Sequence, residues 1–493
     1  MSIAEHYIIL VVVVPLMAAP VCVVLRNPSA CWLWSALATA ASFAMSLAIL
    51  GDVREAGVIS YELGDWIAPF GIEYRADMLT ALILIIVSGI GLVAMPFMAH
   101  SVAREIPRER GYLYYTMYLL CFTGLLGMTV TGDAFNLFVF LEISSLSTYV
   151  LISLGKDRRA LTAALRYLIL GTIGATFYVI GVGLMYMSTG TLNIADLNIL
   201  IPVVIESRTV QAALAFLTVG VCLKLALFPL HVWLPSAYAY APSAVTVFLA
   251  ATATKVAVYA LIRLYFTVFS GVNATIMPVV GEIWLVLAVA GMFAGSLVAI
   301  YQTDIKRMLA YSSVAQIGYI ILGLSFATET GITAGLIHLF NHAIMKGALF
   351  MALGCVVFHV GRAHIGDLAG IGKRMPLTAA AFVLGGLSLI GVPGTVGFIS
   401  KWYLIDAALT EGLWIVAALI LISSLLAVIY IWRVVEVMYF APADAPVDRQ
   451  EAPASMVLPM WLLVGAAVYF GIDATTTLDI AGSAAQALVE VGR

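Results

Sequence analysis

Apolar stretches long enough to cross a bilayer recur along this chain with only short polar interruptions. The pattern predicts helices near 6–25, 31–51, 77–100, 112–131, 134–154, 161–188, 209–228, 243–269, 280–301, 305–325, 331–358, 376–409, 412–440 and 455–472. The fold class that follows is an all-α polytopic membrane protein with about 14 transmembrane helices. Two of these are expected to be broken. The seventh runs into Pro229 and Pro235 within AFLTVGVCLKLALFPLHVWLPSAYAY, and the twelfth contains GVPGTVGFISKW, where Pro393, Gly391, Gly394 and Gly397 interrupt the helix. Carbonyls freed at membrane depth need a protein-lined or water-lined cavity, so each break marks a place for polar chemistry.

The polar segments add less. Residues 51–77 are acidic and alternate in VISYELGDW and FGIEYRAD, which predicts a short external β-hairpin, read as a solvated cap. Residues 441–452, APADAPVDRQEA, read as a linker without chemistry of its own. The opening MSIAEHYIIL has no basic n-region, so the first apolar run is expected to be a retained helix and not a signal peptide. With the N-terminus outside, fourteen of the 24 Lys and Arg fall on the cytoplasmic side. Arg54, Arg75, Arg208 and Arg493 fall outside, a clear positive-inside bias.

An internal repeat is visible. LTAALRYLILGTIGATFY (161–178) can be laid on ITAGLIHLFNHAIMKGALF (332–350) at an offset of 171, and Lys224 and Lys401 stand 177 residues apart, each beside a break. Helices four to eight and nine to thirteen then form two five-helix units. An odd helix count makes them inverted repeats, an arrangement that places transporter sites near the midplane. The expected division is 1–110, 111–270, 271–440 and 441–493, the last holding a cytoplasmic linker and helix fourteen.

Composition confirms the class and removes others. Hydrophobic residues are 63% and charged residues 10% of 493 positions, and the mean hydropathy is +1.07. The net charge of −3 comes with no basic cluster, so no nucleic-acid partner is expected. Five cysteines stand singly without C-x-x-C spacing, which argues against a metal site or a disulfide framework. No nucleophile, phosphate loop or cofactor motif points to a catalytic site.

The chemistry lies in the ionisable residues inside the apolar runs: Glu142, Arg166, Lys224, Lys255, Arg263, His338, His342, Lys346, Lys401 and Glu436. Glu142 is expected to pair with Lys224. A carboxylate beside a buried lysine favours its charged form and burial disfavours it, so moving the carboxylate would switch the lysine between holding and releasing a proton. Lys255, in the next helix, could take that proton through water. His338, His342 and Lys346 follow at i, i+4 and i+8 on one helix face, suited to proton relay; as metal ligands the two histidines lack partners. Lys401 is expected to be the counterpart of Lys224. Arg166 and Arg263 are expected to anchor helices, since a guanidinium does not titrate. A local pair with Arg433 is the simpler account of Glu436. Trp233, Trp402 and Tyr403 are read as packing or interface residues.

Several of these stretches together resemble a known family. The glutamate of FNLFVFLEI, the lysine and prolines of KLALFPLHVWLPSAYAYAPSAV, TKVAVYALIR, YSSVAQIGY, HLFNHAIMKGALF and GVPGTVGFISKW are similar to the antiporter-like membrane subunits of Mrp-type cation/proton antiporters, respiratory complex I and membrane-bound hydrogenases. Within that family the length and the FNLFVFLEI wording look most like the D-type subunits of the Mrp antiporters, while YSSVAQIGY and the histidine-bearing helix are equally at home in the relatives. The resemblance implies a fourteen-helix inverted-repeat fold moving protons along a midplane row, here Glu142, Lys224, Lys255, His338, His342, Lys346 and Lys401. It also implies other membrane subunits as partners, protons and a monovalent cation as cargo, and a bacterial cytoplasmic membrane as the location.

Overall fold

A computed structural model describes residues 6–442 and 449–490. Arg493, the first five residues and the middle of the 441–452 linker lie outside the described residues. The chain begins with the antiparallel pair α1 (Tyr7–Leu25) and α2 (Pro28–Ala56). The expected hairpin follows, β1 (Ile59–Glu62) against β2 (Glu73–Ala76), with Ile59 opposite Ala76 and Glu62 opposite Glu73. Next come α3 (Met78–Glu105), α4 (Gly111–Val130), α5 (Ala134–Ser153) and α6 (Arg159–Thr189). The first half closes with α7 (Ile194–Val204), α8 (Arg208–Leu225), α9 (Trp233–Tyr240), α10 (Ser243–Ala251) and α11 (Ala253–Arg263). The second half holds α12 (Asn273–Ile300), α13 (Ile305–Ser325), α14 (Glu329–Val360), α15 (Ile371–Arg374), α16 (Pro376–Ile390), α17 (Val396–Thr410), α18 (Trp414–Phe440), α19 (Ala454–Ile472) and α20 (Thr475–Glu490).

Short polar residues set the starts of many of these helices. Asn27, Asp77, Asp133, Asn193, Ser207, Asp304 and Thr328 each accept a backbone N–H of the first turn, which satisfies donors that the apolar run cannot. Among the described residues, thirteen helices are long and apolar enough to cross a membrane, or up to fourteen if a bent pair counts as one. The protein is an all-α multi-pass membrane protein. Its centre is α14, buried along nearly its whole length and packed by α3, α10, α13, α16, α17, α19 and α20. In both halves a long helix (α6, then α14) lies along the two pieces of the broken span that follows it (α8–α9, then α16–α17). Large apolar side chains such as Leu165 and Ile169 of α6 stay exposed on the outer surface, as lipid contact requires.

The seventh and eighth spans differ from the expectation, while the twelfth breaks where it was expected to. The seventh span stops at Leu225, turns through Ala226 (φ 60°) and resumes at Trp233; Pro229 lies in the break, but Pro235 is the third residue of α9, where its missing N–H is harmless. The twelfth breaks over 391–395 around Pro393, so Lys401 follows its break whereas Lys224 precedes its own. The eighth, expected to be continuous, is also broken, at Thr252 (φ −126°, ψ −57°) between α10 and α11. Two surface helices were not foreseen, α7 and the amphipathic α20, which packs on α14 and α3.

The two ends of the bundle are chemically distinct. The hairpin, α7 and α20 gather at one end, around a cavity of about 320 Å³. At the other, Arg104, Lys156, Arg159, Lys306 and Arg362 line a cavity of about 240 Å³. We call these the hairpin face and the basic face.

Candidate functional site

A lysine in a membrane interior needs negative partners, and the interrupted helices supply them. The C-terminus of a helix carries partial negative charge on carbonyls without intrahelical donors. Lys224 lies in the last turn of α8. Lys255, the third residue of α11, sits at the unfavourable positive end of its own helix and turns its ammonium back to donate to the Ala250 carbonyl at the end of α10. Lys401 reaches across the twelfth-span break and donates to the carbonyls of Leu389 (3.0 Å) and Ile390 (2.8 Å), the last residues of α16. Three broken spans therefore hold three buried lysines at the negative ends of half-helices. Lys224 and Lys401 are not equivalent in detail. At the first break the freed Leu223 carbonyl is taken by the Trp233 indole N–H at 2.9 Å, while Tyr167 stacks on that indole at 3.9 Å between centroids.

The expected Glu142–Lys224 ion pair is absent among the described residues. Lys224 Nζ donates to Ser145 Oγ at 2.5 Å and to Tyr149 Oη at 3.5 Å, both on α5. Glu142 is one turn away on that helix, acts on Lys224 only through space, and has one buried oxygen without a hydrogen-bond partner. It stands between the Lys224 side of α5 and the exposed residues Phe135, Val139, Leu146 and Val150. A cavity of about 30 Å³ lined by Lys224, Ser145, Ala253 and Ala257 lies between α8 and the start of α11. It is large enough for a water and is walled by the Ala253–Ala257–Ala260 face of α11, the helix that carries Lys255.

The α14 face brings its three titratable groups together as the spacing predicted. His338, His342 and Lys346 are fully buried. The His338 ring bridges α13 and α17: Nε2 faces Gln316 Oε1 at 2.9 Å and Nδ1 faces Ser400 Oγ at 2.8 Å. An amide oxygen only accepts, so Nε2 carries the proton and Nδ1 accepts from the serine beside Lys401. His342 stacks on His338 at 6.4 Å, and neither of its ring nitrogens has a partner. Lys346 donates to the Leu309 carbonyl at 2.9 Å and to Ser312 Oγ. The Lys255 charge acts through space on all three, and Lys401 on His338. Lys401 Nζ lies 5.0 Å from the centre of the Tyr319 ring, which also contacts His338. Hydroxyls partner several of these groups one by one: Ser145 and Tyr149 with Lys224, Ser312 with Lys346 and Ser400 with His338. Among the described residues no third ligand accompanies the histidines, and no group of metal-ligating side chains forms.

The remaining ionisable residues separate from this series. Arg263 donates to Asp77, Thr80 Oγ1 (2.9 Å), Tyr259 Oη (2.9 Å) and Thr267 Oγ1 (3.3 Å), an anchor between α11 and α3. Arg166 is exposed on α6. Glu436 is exposed on α18 and makes no ion pair with Arg433 among the described residues. Sequence reasoning missed the polar partners Ser145, Ser312, Gln316 and Ser400. Only helical spacing hinted at any of them, since Ser145 and Tyr149 follow Glu142 by three and seven positions. Trp233, read as packing, is also a carbonyl cap.

Half-helix ends that hold buried lysines and a histidine-bearing central helix are the features by which antiporter-like membrane subunits are grouped. A family model described as NADH:quinone oxidoreductase/Mrp antiporter, TM, matches residues 131–427, and the chain belongs to that family. It is 44% identical over 490 residues to NADH-quinone oxidoreductase subunit N of Desulforudis audaxviator, covering 95% of this chain and 96% of that one. It is 31% identical over 444 residues to the D subunit of the Na(+)/H(+) antiporter of Alkalihalophilus pseudofirmus, covering 89% and 88%. Among solved structures, a chain of the Mrp complex from Dietzia sp. DQ12-45-1b superposes with a TM-score of 0.90 at 27% identity, covering 99% of this chain and 98% of that chain.

Proposed function

We propose that this chain is a proton-translocating subunit of a multisubunit monovalent cation (Na+)/proton antiporter in a bacterial cytoplasmic membrane, its basic face in the cytoplasm. The observation that carries the reading is the placement of Lys224, Lys255 and Lys401 at half-helix ends around a central helix that buries His338, His342 and Lys346. Each lysine faces oxygens and no carboxylate partner, so a small shift of a half-helix changes how well its charge is held. Protons pass from Lys224 by way of the small cavity to Lys255, along the α14 face, and on to Lys401 through Ser400. Glu142, at the edge of α5, biases Lys224 from outside the series. The frame is two inverted five-helix units, 111–270 and 271–440, behind helices 1–110. One charge moved through about 100 mV is worth about 2.3 kcal/mol, which a pKa change of roughly two between conformations would match.

A second reading is a proton-pumping subunit of a redox-driven complex, favoured by the 44% identity to a subunit N. The same series serves both. The test of the shared core is Lys224→Ala in the intact complex: proton translocation in vesicles falls on the order of a hundredfold while the subunits still copurify. Unchanged translocation contradicts it. The copurifying subunits then separate the readings, cation-antiporter subunits against quinone-reductase or hydrogenase subunits.

A further inference from the structure

Helix α3 belongs to neither five-helix unit, yet both its ends are tied to the broken span that carries Lys255. At the hairpin face Asp77, the N-cap of α3, accepts from Arg263 at the end of α11. The Arg263 fork also holds Thr80 and Tyr259, and Tyr259 Oη donates to the Thr129 carbonyl at 2.5 Å. Lys255, Tyr259 and Arg263 are spaced i, i+4 and i+8, so they form one face of α11 that runs from the break to this clasp. At the basic face Glu105, the last residue of α3, caps the start of α10. Its Oε2 accepts from the Ser243 amide (2.9 Å) and hydroxyl (3.1 Å), and its Oε1 accepts from Ser101 Oγ (2.7 Å). Lys306 Nζ lies 3.8 Å from the same carboxylate and donates to the Ala241 carbonyl at 3.1 Å.

Each clasp forms part of the wall of a cavity. Asp77 and Arg263 line the one of about 320 Å³ at the hairpin face. Glu105 and Lys306 line the one of about 240 Å³ at the basic face. The break at Thr252 divides the span into pieces of nine and eleven residues, and element-terminal residues of this kind are where hinges form. Two carboxylates on one rigid helix thus hold the two halves, with Lys255 between them.

We propose that the Asp77–Arg263 and Glu105–Ser243–Lys306 clasps are the two gates of the Lys255 compartment. Releasing the first admits water and protons from the hairpin-face cavity past α11; releasing the second admits them from the basic-face cavity past α10. The purpose of the gates rests on the proton-carrying reading of Lys255, but their existence is read from accessibility and does not depend on transport.

The experiment places Thr252→Cys at the break in the intact complex. It measures labelling by a membrane-impermeant methanethiosulfonate, applied to one face at a time in right-side-out and inverted vesicles and read at position 252 by mass spectrometry. Adding Asp77→Asn is expected to raise the labelling rate about tenfold from the hairpin face only, and adding Glu105→Gln about tenfold from the basic face only. Arg263→Lys keeps the charge but loses the fork, and Ser243→Ala removes one donor to Glu105. They give smaller rises on the same respective faces, and serve if either stronger variant fails to assemble. Increases on the wrong face, on both faces from one variant, or on neither face in assembled complexes overturn the proposal. Face-specific labelling together with unchanged proton flux in Lys224→Ala would keep the gates and remove the proton-row reading.

Discussion

Lys255 holds its place without a carboxylate partner, and the reason is local. At the third residue of α11 the helix dipole repels a cation, and one turn back the end of α10 attracts it. Partners of this kind recur, and they set the predictions at this scale. Trp233→Phe keeps the stack on Tyr167 but leaves the Leu223 carbonyl with the Ala226 N–H as its remaining donor, so it lowers stability by about 0.5–1.5 kcal/mol, measurable as earlier thermal unfolding of the purified complex. Ser145→Ala removes the nearest acceptor of Lys224; proton translocation is expected to fall roughly tenfold while unfolding temperature moves little. The titratable groups were legible in the sequence because a charge inside an apolar run stands out. Their partners were not, because serine, threonine and glutamine are common in membrane helices and only the fold selects which face inward. The expected Glu142–Lys224 pair missed for the same reason: periodicity places residues on faces but does not fix the reach across helices.

The breaks are the devices at the scale of elements. Two were legible from proline and glycine. Gly391 ends α16 at φ 95°, and a Cβ on Gly397 would meet the Ser388 carbonyl oxygen at 1.7 Å. Gly397→Ala should therefore prevent the α16–α17 closure, seen as loss of the chain from membranes or of its copurifying subunits. The third break was hidden, since ATATKVAVYALIR holds neither proline nor glycine. The Thr252 hydroxyl donates to the Phe248 carbonyl within its own helix, but Thr39, Thr116 and Thr129 make the same bond inside unbroken helices, so this threonine carries no signal that sets the break apart in the sequence. At the hairpin end of this span, burial by itself would push the Asp77 carboxyl up, but the Arg263 guanidinium and the Thr80 hydrogen bonds outweigh it and hold it below the usual carboxylate range. With the folded value depressed, the clasp contributes its stability at pH values above about 4 and loses it as pH falls further. Thermal unfolding is expected to show an acid-side loss in the native chain that Asp77→Asn makes smaller.

For the whole molecule, the fold class, the hairpin and most span boundaries could be read from hydropathy. The surface helices α7 and α20 could not, because short amphipathic segments do not stand out beside membrane spans. The family is equally plain. What the molecule itself builds is a set of buried titratable groups, at half-helix ends and along α14, between two chemically different faces. The most direct test is proton translocation by the reconstituted complex carrying Lys255→Met, with assembly verified by copurification. The account predicts a loss on the order of a hundredfold in proton flux with assembly intact. Flux within about twofold of the unmodified complex, a difference too small to reflect the loss of a proton-transfer group, would contradict it.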